Sequence, residues 1–252
     1  MEELYALELI QKGKRLDGRK FADFRTVEIT KNAISTAEGS ARVKIGETEV
    51  IAGVKIGIGT PFPDTPDKGI LIVNTEFTPL ASPEFESGPP GENAVELSRI
   101  VDRGIRESET VELEKLCLVE GEKVFSIFVD IHIINHDGNL QDAAALAAIA
   151  ALRGARLPKL ENDKIVRGEY DKPLPVAFTP VNVTVAKVGE NLILDPNYEE
   201  EKILDSKLSI SVRDDDRICA LQKQGRKEIK LEDVEKMLDM AIEKSRELRK
   251  FV

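Results

Sequence analysis

The sequence predicts an α+β fold built of two related layers, and three observations support this prediction. Alternating and apolar runs typical of strands fill the first half of the chain and recur after residue 180. Amphipathic helix patterns accompany both strand-rich blocks. Between the blocks lies the run AAALAAIAAL, so apolar that we expect a helix buried against a sheet.

The first block opens with an acidic amphipathic helix pattern, MEELYALELIQKGKR, and continues with antiparallel strands. These strands cover residues 26–30, 41–45, 49–58 and 70–77. Prolines and glycines predict loops at 59–69 and 82–91, because they interrupt strands. A helix follows over about residues 92–109; one face is apolar and the other carries Arg99, Arg103 and Arg106.

Two more strands, 116–120 and 124–134, precede the Ala-rich helix, which we expect over about residues 140–157, stopped by Pro158. Strands 181–188 and 192–194 follow, so strand 124–134, the helix and strand 181–188 are predicted to form a right-handed βαβ crossover. A hairpin of strands 208–212 and 217–222 and a helix over 231–251 close the chain. The apolar face of this helix predicts burial of Leu231, Val234, Leu238, Ala241, Ile242 and Leu248.

Composition limits the functions that the chain can have. Its 252 residues and 41% hydrophobic content suffice for a buried core, in one large domain or two small ones. The formal net charge of -10 argues against coating nucleic acid by bulk electrostatics, so any RNA contact must come from a local basic stripe.

The cysteines and the chain start predict a reduced, cytoplasmic protein. Cys117 and Cys219 lie in apolar runs without the spacing of a metal or redox motif. The first residues lack the apolar core of a signal peptide, and no run approaches the ~18 apolar residues of a membrane span.

The segment from His136 to Ala143, HDGNLQDA, joins a predicted buried strand to the start of the Ala-rich helix. Free backbone N–H groups and the helix dipole make such a junction a natural anion site. The alternative is an ordinary helix start, with Asn139 as N-cap and Asp142 complementing the dipole.

Four ordered pieces of the chain carry a family resemblance. They are RLDGR at 15–19, EGSARV at 38–43 with Gly46 and Thr48, ELSR at 96–99, and Asp137-Gly138 before the Ala-rich helix. Together they resemble the RNase PH family, and within it the chain is most similar to the non-catalytic RNase PH-like subunit of the archaeal exosome. The resemblance implies an RNase PH-like fold, of the ribosomal protein S5 domain 2-like type. It predicts an N-terminal helix and arm (1–25) and two domains (26–168 and 169–252).

Phosphorolytic members of this family degrade RNA from its 3′ end, and after Asp-Gly they carry Gly, then Thr or Ser, then Arg to hold the attacking phosphate. This sequence has Asn139, Leu140 and Gln141 instead, which removes a hydroxyl donor and a bidentate guanidinium. Asp142 is expected to add repulsion of about 3 kcal/mol for a phosphate ~5 Å away at an effective dielectric of ~20. The resemblance therefore implies a degenerate phosphate site.

Active members also have an Asp in the last third of the chain, which fits the need for an acid at the leaving 3′ oxygen. The matching region holds Glu201 nearest the catalytic position and Asp205 nearest a second acidic one; which of Glu200, Glu201 or Asp205 corresponds stays open. The alternative reading is a solvated acidic turn. No metal site or cofactor is expected, because His132 and His136 lack a third ligand.

Arg99, Arg103 and Arg106 follow i, i+4, i+7 spacing and so share one helix face. The resemblance implies that this helix contacts RNA phosphates. The alternative is surface ion pairing, with Glu96 facing Arg99, Asp102 facing Arg106 and Glu107 facing Arg103.

The leading hypothesis is a non-catalytic subunit that structures an active RNase PH-like partner's site and contacts single-stranded RNA. The resemblance implies a hexameric ring of three heterodimers with S1/KH-domain cap proteins. Two alternatives remain: an active phosphate-dependent 3′-to-5′ exoribonuclease, and a purely structural ring scaffold without RNA contact. A small-molecule kinase is disfavoured, since no Gly-rich phosphate loop is present.

Overall fold

A computed structural model describes residues 2–162 and 164–252; Met1 and Asp163, which fall inside the predicted segments 1–25 and 26–168, lie outside the described residues. The helices are α1 (Glu2–Gln11), α2 (Glu92–Glu107), α3 (Leu140–Gly154), α4 (Tyr198–Ile203) and α5 (Leu231–Leu248). The strands are β1 (Val27–Lys31), β2 (Gly39–Ile45), β3 (Thr48–Gly59), β4 (Ile70–Phe77), β5 (Cys117–Val119), β6 (Lys123–Asn135), β7 (Arg156–Glu161), β8 (Lys164–Pro173), β9 (Val181–Val188), β10 (Asn191–Leu194), β11 (Ser206–Val212) and β12 (Ile218–Gly225).

The strands form two main sheets, as the predicted two layers require. The larger has the order β1-β2-β3-β6-β4, with β5 also paired to β6. All its pairs are antiparallel except β4 with β6. The smaller, antiparallel throughout, has the order β10-β9-β11-β12, and β7 and β8 form a separate hairpin.

Helix α3 lies between the two sheets, packed on β2 and β3 on one side and on β9 on the other. Every residue from Leu140 to Leu152 is buried. The predicted crossover from β6 through α3 to β9 within one sheet is therefore wrong, because β6 and β9 belong to different sheets. A helix that is apolar on all sides must be covered on all sides, and two sheets do this. The parallel pair is β4 and β6, with α2 between them in the chain.

Several predicted element ends are also corrected. Helix α3 ends at Gly154 because Ala155 is already extended, and Pro158 lies inside β7 rather than stopping a helix. Leu231 is 74% exposed at the start of α5, so its predicted burial is wrong. Ala241 and Leu248 are buried as predicted, together with Met237. No helix within residues 2–162 and 164–252 combines the length and apolar character that crossing a bilayer requires.

Candidate functional site

The segment that follows β10 covers the turn between β6 and α3. Gly138 has φ +83°, and a Cβ there would lie 2.5 Å from the carbonyl oxygen of Pro196 and 2.7 Å from the backbone nitrogen of Tyr198. Only glycine permits both this backbone conformation and so close an approach. The start of α3 is thereby held against the second sheet's β10–α4 connection.

Asn139 precedes α3 in a left-handed conformation, with φ 51°, and is fully buried. It occupies the predicted N-cap position, but its side chain makes no capping hydrogen bond. Instead its Nδ2 donates to Asp142 Oδ2 and to Asp195 Oδ1, each at 2.9 Å. The polar side chain that could have faced an anion is thus turned into the protein and joins two carboxylates.

Asp142 is 1% exposed and faces β9. Its carboxylate accepts hydrogen bonds from Asn182 Nδ2 at 2.8 Å, from the Thr184 hydroxyl at 2.8 Å and from the Thr184 backbone N–H at 3.0 Å. Burial raises the pKa of Asp142 to about 6, against the lowering effect of these donors. The expected repulsion of a bound phosphate by Asp142 needs correcting, because the carboxylate points into the core and is engaged there.

Asp195 is the centre of an ionic cluster that the sequence did not predict. Its buried carboxylate accepts from Arg25 Nη2 at 2.7 Å and Nε at 2.8 Å, and from Arg19 Nη1 at 2.9 Å. Burial alone would raise the pKa of Asp195, but hydrogen bonds and charge from Arg25 outweigh it and lower the pKa. These ion pairs thus join the arm before β1 to the loop after β10.

Glu200 and Arg15 form a second buried ion pair, with both side chains fully buried. Arg15 Nε donates to one carboxylate oxygen at 2.8 Å and Nη2 to the other at 2.5 Å. Asn197 and Glu200 also make a reciprocal capping box at the start of α4. The predicted solvated acidic turn is therefore wrong, since it is a helix whose middle carboxylate is part of the core. Glu200 cannot face a substrate.

Leu140, Gln141 and Glu201 come together around one cavity of about 210 Å³, here named the α3 pocket. Asp205 lies outside it, paired with Lys227 at 2.6 Å, and Asp142 does not line it. The pocket is lined by Phe77, Glu84, Phe85, Asn93, Glu96, Leu97, His136, Leu140, Gln141, Glu201, Lys207 and Gln224.

The charges lining the α3 pocket are mainly negative. Glu84, Glu96 and Glu201 contribute carboxylates, while the cation is Lys207, whose Nζ already lies 2.7 Å from Glu201 Oε1. Within the described part of the chain, no arginine and no unpaired lysine lines this cavity.

The two histidines contact different neighbours. His136 stacks on Phe85 with ring centroids 5.4 Å apart, and burial lowers its pKa. His132 pairs instead with Glu76, at 3.4 Å. Among residues 2–162 and 164–252, no group of three or more potential ligand side chains comes together.

Arg99 and Arg103 line a second cavity of about 560 Å³, the arginine groove. Neither takes part in a hydrogen bond or ion pair with any described residue, so the alternative pairs with Glu96 and Glu107 are not formed. Arg106 differs: it pairs with Asp102 at 2.7 Å and donates to the Leu71 carbonyl at 3.0 Å. The groove is lined by Pro90, Glu92, Val95, Glu96, Arg99, Ile100, Arg103 and Gln222.

Sequence reasoning missed Arg15, Arg19 and Arg25 as partners of the site. The first two lie in the RLDGR piece that carried the resemblance, yet their carboxylate partners are up to 185 residues away in the chain. Lys207 and Gln224 were missed for the same reason, since both reach the pocket from the second sheet.

Comparison with known proteins places the chain in a family. The profile of the 3′ exoribonuclease family, domain 1, matches residues 23–158, and that of domain 2 matches residues 179–244. Exosome complex component Rrp42 of Thermococcus gammatolerans is 48% identical, covering 98% of this chain and 92% of the relative. The Methanothermobacter thermautotrophicus protein of the same name is also 48% identical, covering 97% and 92%.

Solved structures of similar chains indicate the same family as these relatives. The Archaeoglobus fulgidus exosome with RNA bound to the active site contains a chain with TM-score 0.94 and 50% identity, covering 99% of this chain and 96% of that one. An archaeal exosome core chain gives 0.89 and 46%, with the same coverage. Rice Rrp46, at 22% identity and TM-score 0.73, shares the fold. The α+β, RNase PH-like fold is thus confirmed, and the chain belongs to the RNase PH family of 3′ exoribonucleases.

Proposed function

We propose that this chain is a non-catalytic subunit of an archaeal exosome core, pairing with an active RNase PH-like subunit in 3′-to-5′ phosphorolytic RNA degradation. The relatives named as exosome components cover nearly its whole length. The proposed assembly is a ring of three heterodimers with S1/KH-domain cap proteins. The proposed boundary between the two domains, after residue 168, falls between the two matched family profiles.

The observation that carries this proposal is the charge of the α3 pocket. A phosphate held there would need cationic or N–H donors, and arginine is the usual bidentate partner. The Leu140 side chain offers no donor, and Lys207 is already engaged by Glu201. Glu84 and Glu96 would add repulsion, each worth a few kcal/mol at close range.

The acid position supports the same conclusion. Glu201 is the one candidate carboxylate that lines the α3 pocket, and its Oε1 accepts a hydrogen bond from Lys207 at 2.7 Å. A general acid must be protonated and within reach of the leaving oxygen. Glu201 Oε1 is already engaged by the Lys207 ammonium group and is not free to contact a leaving oxygen.

Phosphorolysis by the purified chain tests the catalytic part. We expect no phosphate-dependent release of nucleoside diphosphates from a single-stranded RNA by the chain alone, and release once an active RNase PH-like partner is added. Robust release by the chain alone would overturn the proposal in favour of an active exoribonuclease.

RNA contact is proposed for Arg99 and Arg103, because their guanidinium groups are exposed and unpaired in the arginine groove. Arg106 is left out of this proposal, since its guanidinium group already donates to Asp102 and to the Leu71 carbonyl. With a net charge of -10, two free arginines on one helix are a local exception to an acidic surface.

Charge-removing variants in the assembled complex test the RNA contact. Arg99→Gln and Arg103→Gln should weaken RNA binding for all sequences alike and lower the salt dependence by about one counterion each. Arg106→Gln removes the same charge from the same helix outside the groove and serves as the control. Unchanged affinity at low salt for the first two variants would favour a scaffold without RNA contact.

A further inference from the structure

We propose that the α3 pocket binds a small organic cation, an alkylammonium group on a short aliphatic chain. This inference rests on the proposed function only in requiring that the pocket does not hold phosphate. It assigns the cavity a ligand of opposite charge.

The first argument is the excess of carboxylates in a small space. Three glutamates line the pocket together with Lys207, and they differ in the hydrogen bonds and ion pairs that they make. Glu201 is paired with Lys207, and Glu84 accepts a hydrogen bond from the Tyr198 hydroxyl. Glu96 has no hydrogen bond or ion pair with any described residue, and so it is available to a cation.

The second argument is an unused acceptor at the pocket wall. Gln141 is 8% exposed and lines the cavity. Its Nε2 donates to Gln224 Oε1 at 3.1 Å, which leaves Gln141 Oε1 as a buried acceptor without a donor among the described residues. Buried polar atoms are normally satisfied, and an ammonium group carries three donors. An ammonium ligand could supply the missing donor, whereas a carboxylate or a fully ionised phosphate has none to offer.

The third argument is the apolar wall, which fits an aliphatic chain rather than a bare ion. Phe77 and Phe85 lie with ring centroids 4.5 Å apart, and His136 stacks on Phe85. Leu97 and Leu140 complete this side of the lining. Aromatic faces also attract cations directly. Methylene groups can pack here while the charged end meets Glu96.

A metal ion does not fit the same residues. Inorganic cations need several oxygen or nitrogen ligands within about 2.0–2.6 Å. No group of three or more potential ligands of that kind converges within the described ranges. The carboxylates are spread around a cavity of about 210 Å³, so a cation with a body of its own is needed to span them.

Titration calorimetry of the full chain with 1,4-diaminobutane tests the proposal, with 1,4-butanediol as the uncharged ligand. We expect saturable one-to-one binding of the diamine and none of the diol. Glu96→Gln should weaken diamine binding about tenfold, the loss expected for one charge-assisted hydrogen bond. The matched control is Glu92→Gln, four residues earlier on α2, which lines the arginine groove and not the α3 pocket.

Absence of saturable diamine binding, or equal weakening by both glutamine variants, would overturn the proposal. Inorganic phosphate is titrated in parallel to separate the two ideas. If neither phosphate nor diamine binds, this inference alone fails. Saturable binding of phosphate in this pocket would overturn the proposed function, whether or not the diamine binds.

Titration of the assembled ring distinguishes the source of the ammonium group. Binding that persists there supports a free amine as the ligand. Binding lost on assembly supports a lysine side chain of a neighbouring subunit filling the same pocket.

Discussion

Asp195 is the residue at which the N-terminal arm, the start of α3 and the loop after β10 meet. It has a left-handed backbone, with φ 46°, and its carboxylate takes donors from Arg19, Arg25 and Asn139. Removing one partner of a buried pair leaves an uncompensated charge, which costs far more than an exposed pair contributes. The cluster is therefore sensitive to single substitutions.

Arg25→Met should lower the free energy of unfolding by about 3–5 kcal/mol, because the buried Asp195 carboxylate would lose its ion pair with Arg25 and retain the one with Arg19. The control is Arg42→Met, which breaks the half-exposed Arg42–Glu49 pair and should cost less than about 1 kcal/mol. Urea unfolding measures both. Equal, small losses in the two variants would show that the Asp195 cluster is not a buried ionic centre.

Asp142 gives a pH dependence of the opposite sign to that of Asp195. Its pKa in the folded chain is raised to about 6 from 3.8, so its stabilising contribution is complete below pH 3.8 and is lost as pH rises through 6. The loss amounts to about 3 kcal/mol. Subtracting the unfolding free energy of Asp142→Asn from that of the natural chain isolates this group. The difference should fall between pH 4 and pH 6.5; a difference constant with pH contradicts the assignment.

At the scale of elements, the contact between β2 and α3 depends on a glycine. A Cβ on Gly39 would lie 2.4 Å from the Ala151 carbonyl oxygen and 2.7 Å from Ala155 Cβ, both parts of α3 or its end. Neither neighbour is a flexible side chain that could move aside. The first sheet and the helix can approach this closely only without a side chain at residue 39.

Gly39→Ala should therefore destabilise the fold by about 1–3 kcal/mol through overpacking. Gly53→Ala, on the adjacent strand β3, is the matched control, because a Cβ there meets Ile34 Cδ1 at an ordinary 3.6 Å. Thermal unfolding of both variants checks this expectation. An equally large loss of stability in Gly53→Ala would mean that the destabilisation comes from replacing glycine in a strand and not from the β2–α3 contact.

Local side-chain patterns predicted the strands of both sheets and helices α1, α2, α3 and α5. These patterns reflect burial of one face in the amphipathic elements and burial on all sides in α3. They did not predict α4 or the β7–β8 hairpin. Helix α4 is short and depends on Asn197 and on Arg15, which is distant in sequence. In the hairpin, Pro158 and Gly168 resemble loop signals, and tertiary context overrides them.

The sequence predicted those parts of the candidate site whose chemistry depends on residue type. It did not predict those that depend on the orientation of a side chain. Leu140, Gln141 and Glu201 were identified from the sequence, and the fold brings them to one cavity. The orientation of the Asp142 side chain depends on donors from β9. Arg106 forms the pair with Asp102 that its spacing predicted, but it also donates to the Leu71 carbonyl. Such long-range partners leave no local signal.

At the scale of the whole molecule, both sheets share α3 as a common core element. The apolar residues of both main sheets that pack toward α3 belong to one continuous buried cluster. Elements that bury the same residues lose their packing together, so the two sheets are expected to unfold in one cooperative step.

Native-state hydrogen exchange tests this coupling. Amides of the central strands β6 and β9 should exchange with opening free energies equal within about 1 kcal/mol, because neither sheet keeps its core without α3. The β7–β8 hairpin, which forms a separate two-stranded sheet, should exchange sooner. Markedly earlier exchange in β9 than in β6 would mean that the second sheet opens independently.

The position of Asn139 also bears on the evolutionary history open to this chain. A descendant with glycine there would lack the one side chain, among the residues that the structure describes, that donates to both Asp142 and Asp195. Two buried carboxylates would each lose a donor, at a cost of about 1–3 kcal/mol, before any phosphate could bind. We expect a phosphate-binding variant of this chain to require compensating substitutions at the neighbouring acids first.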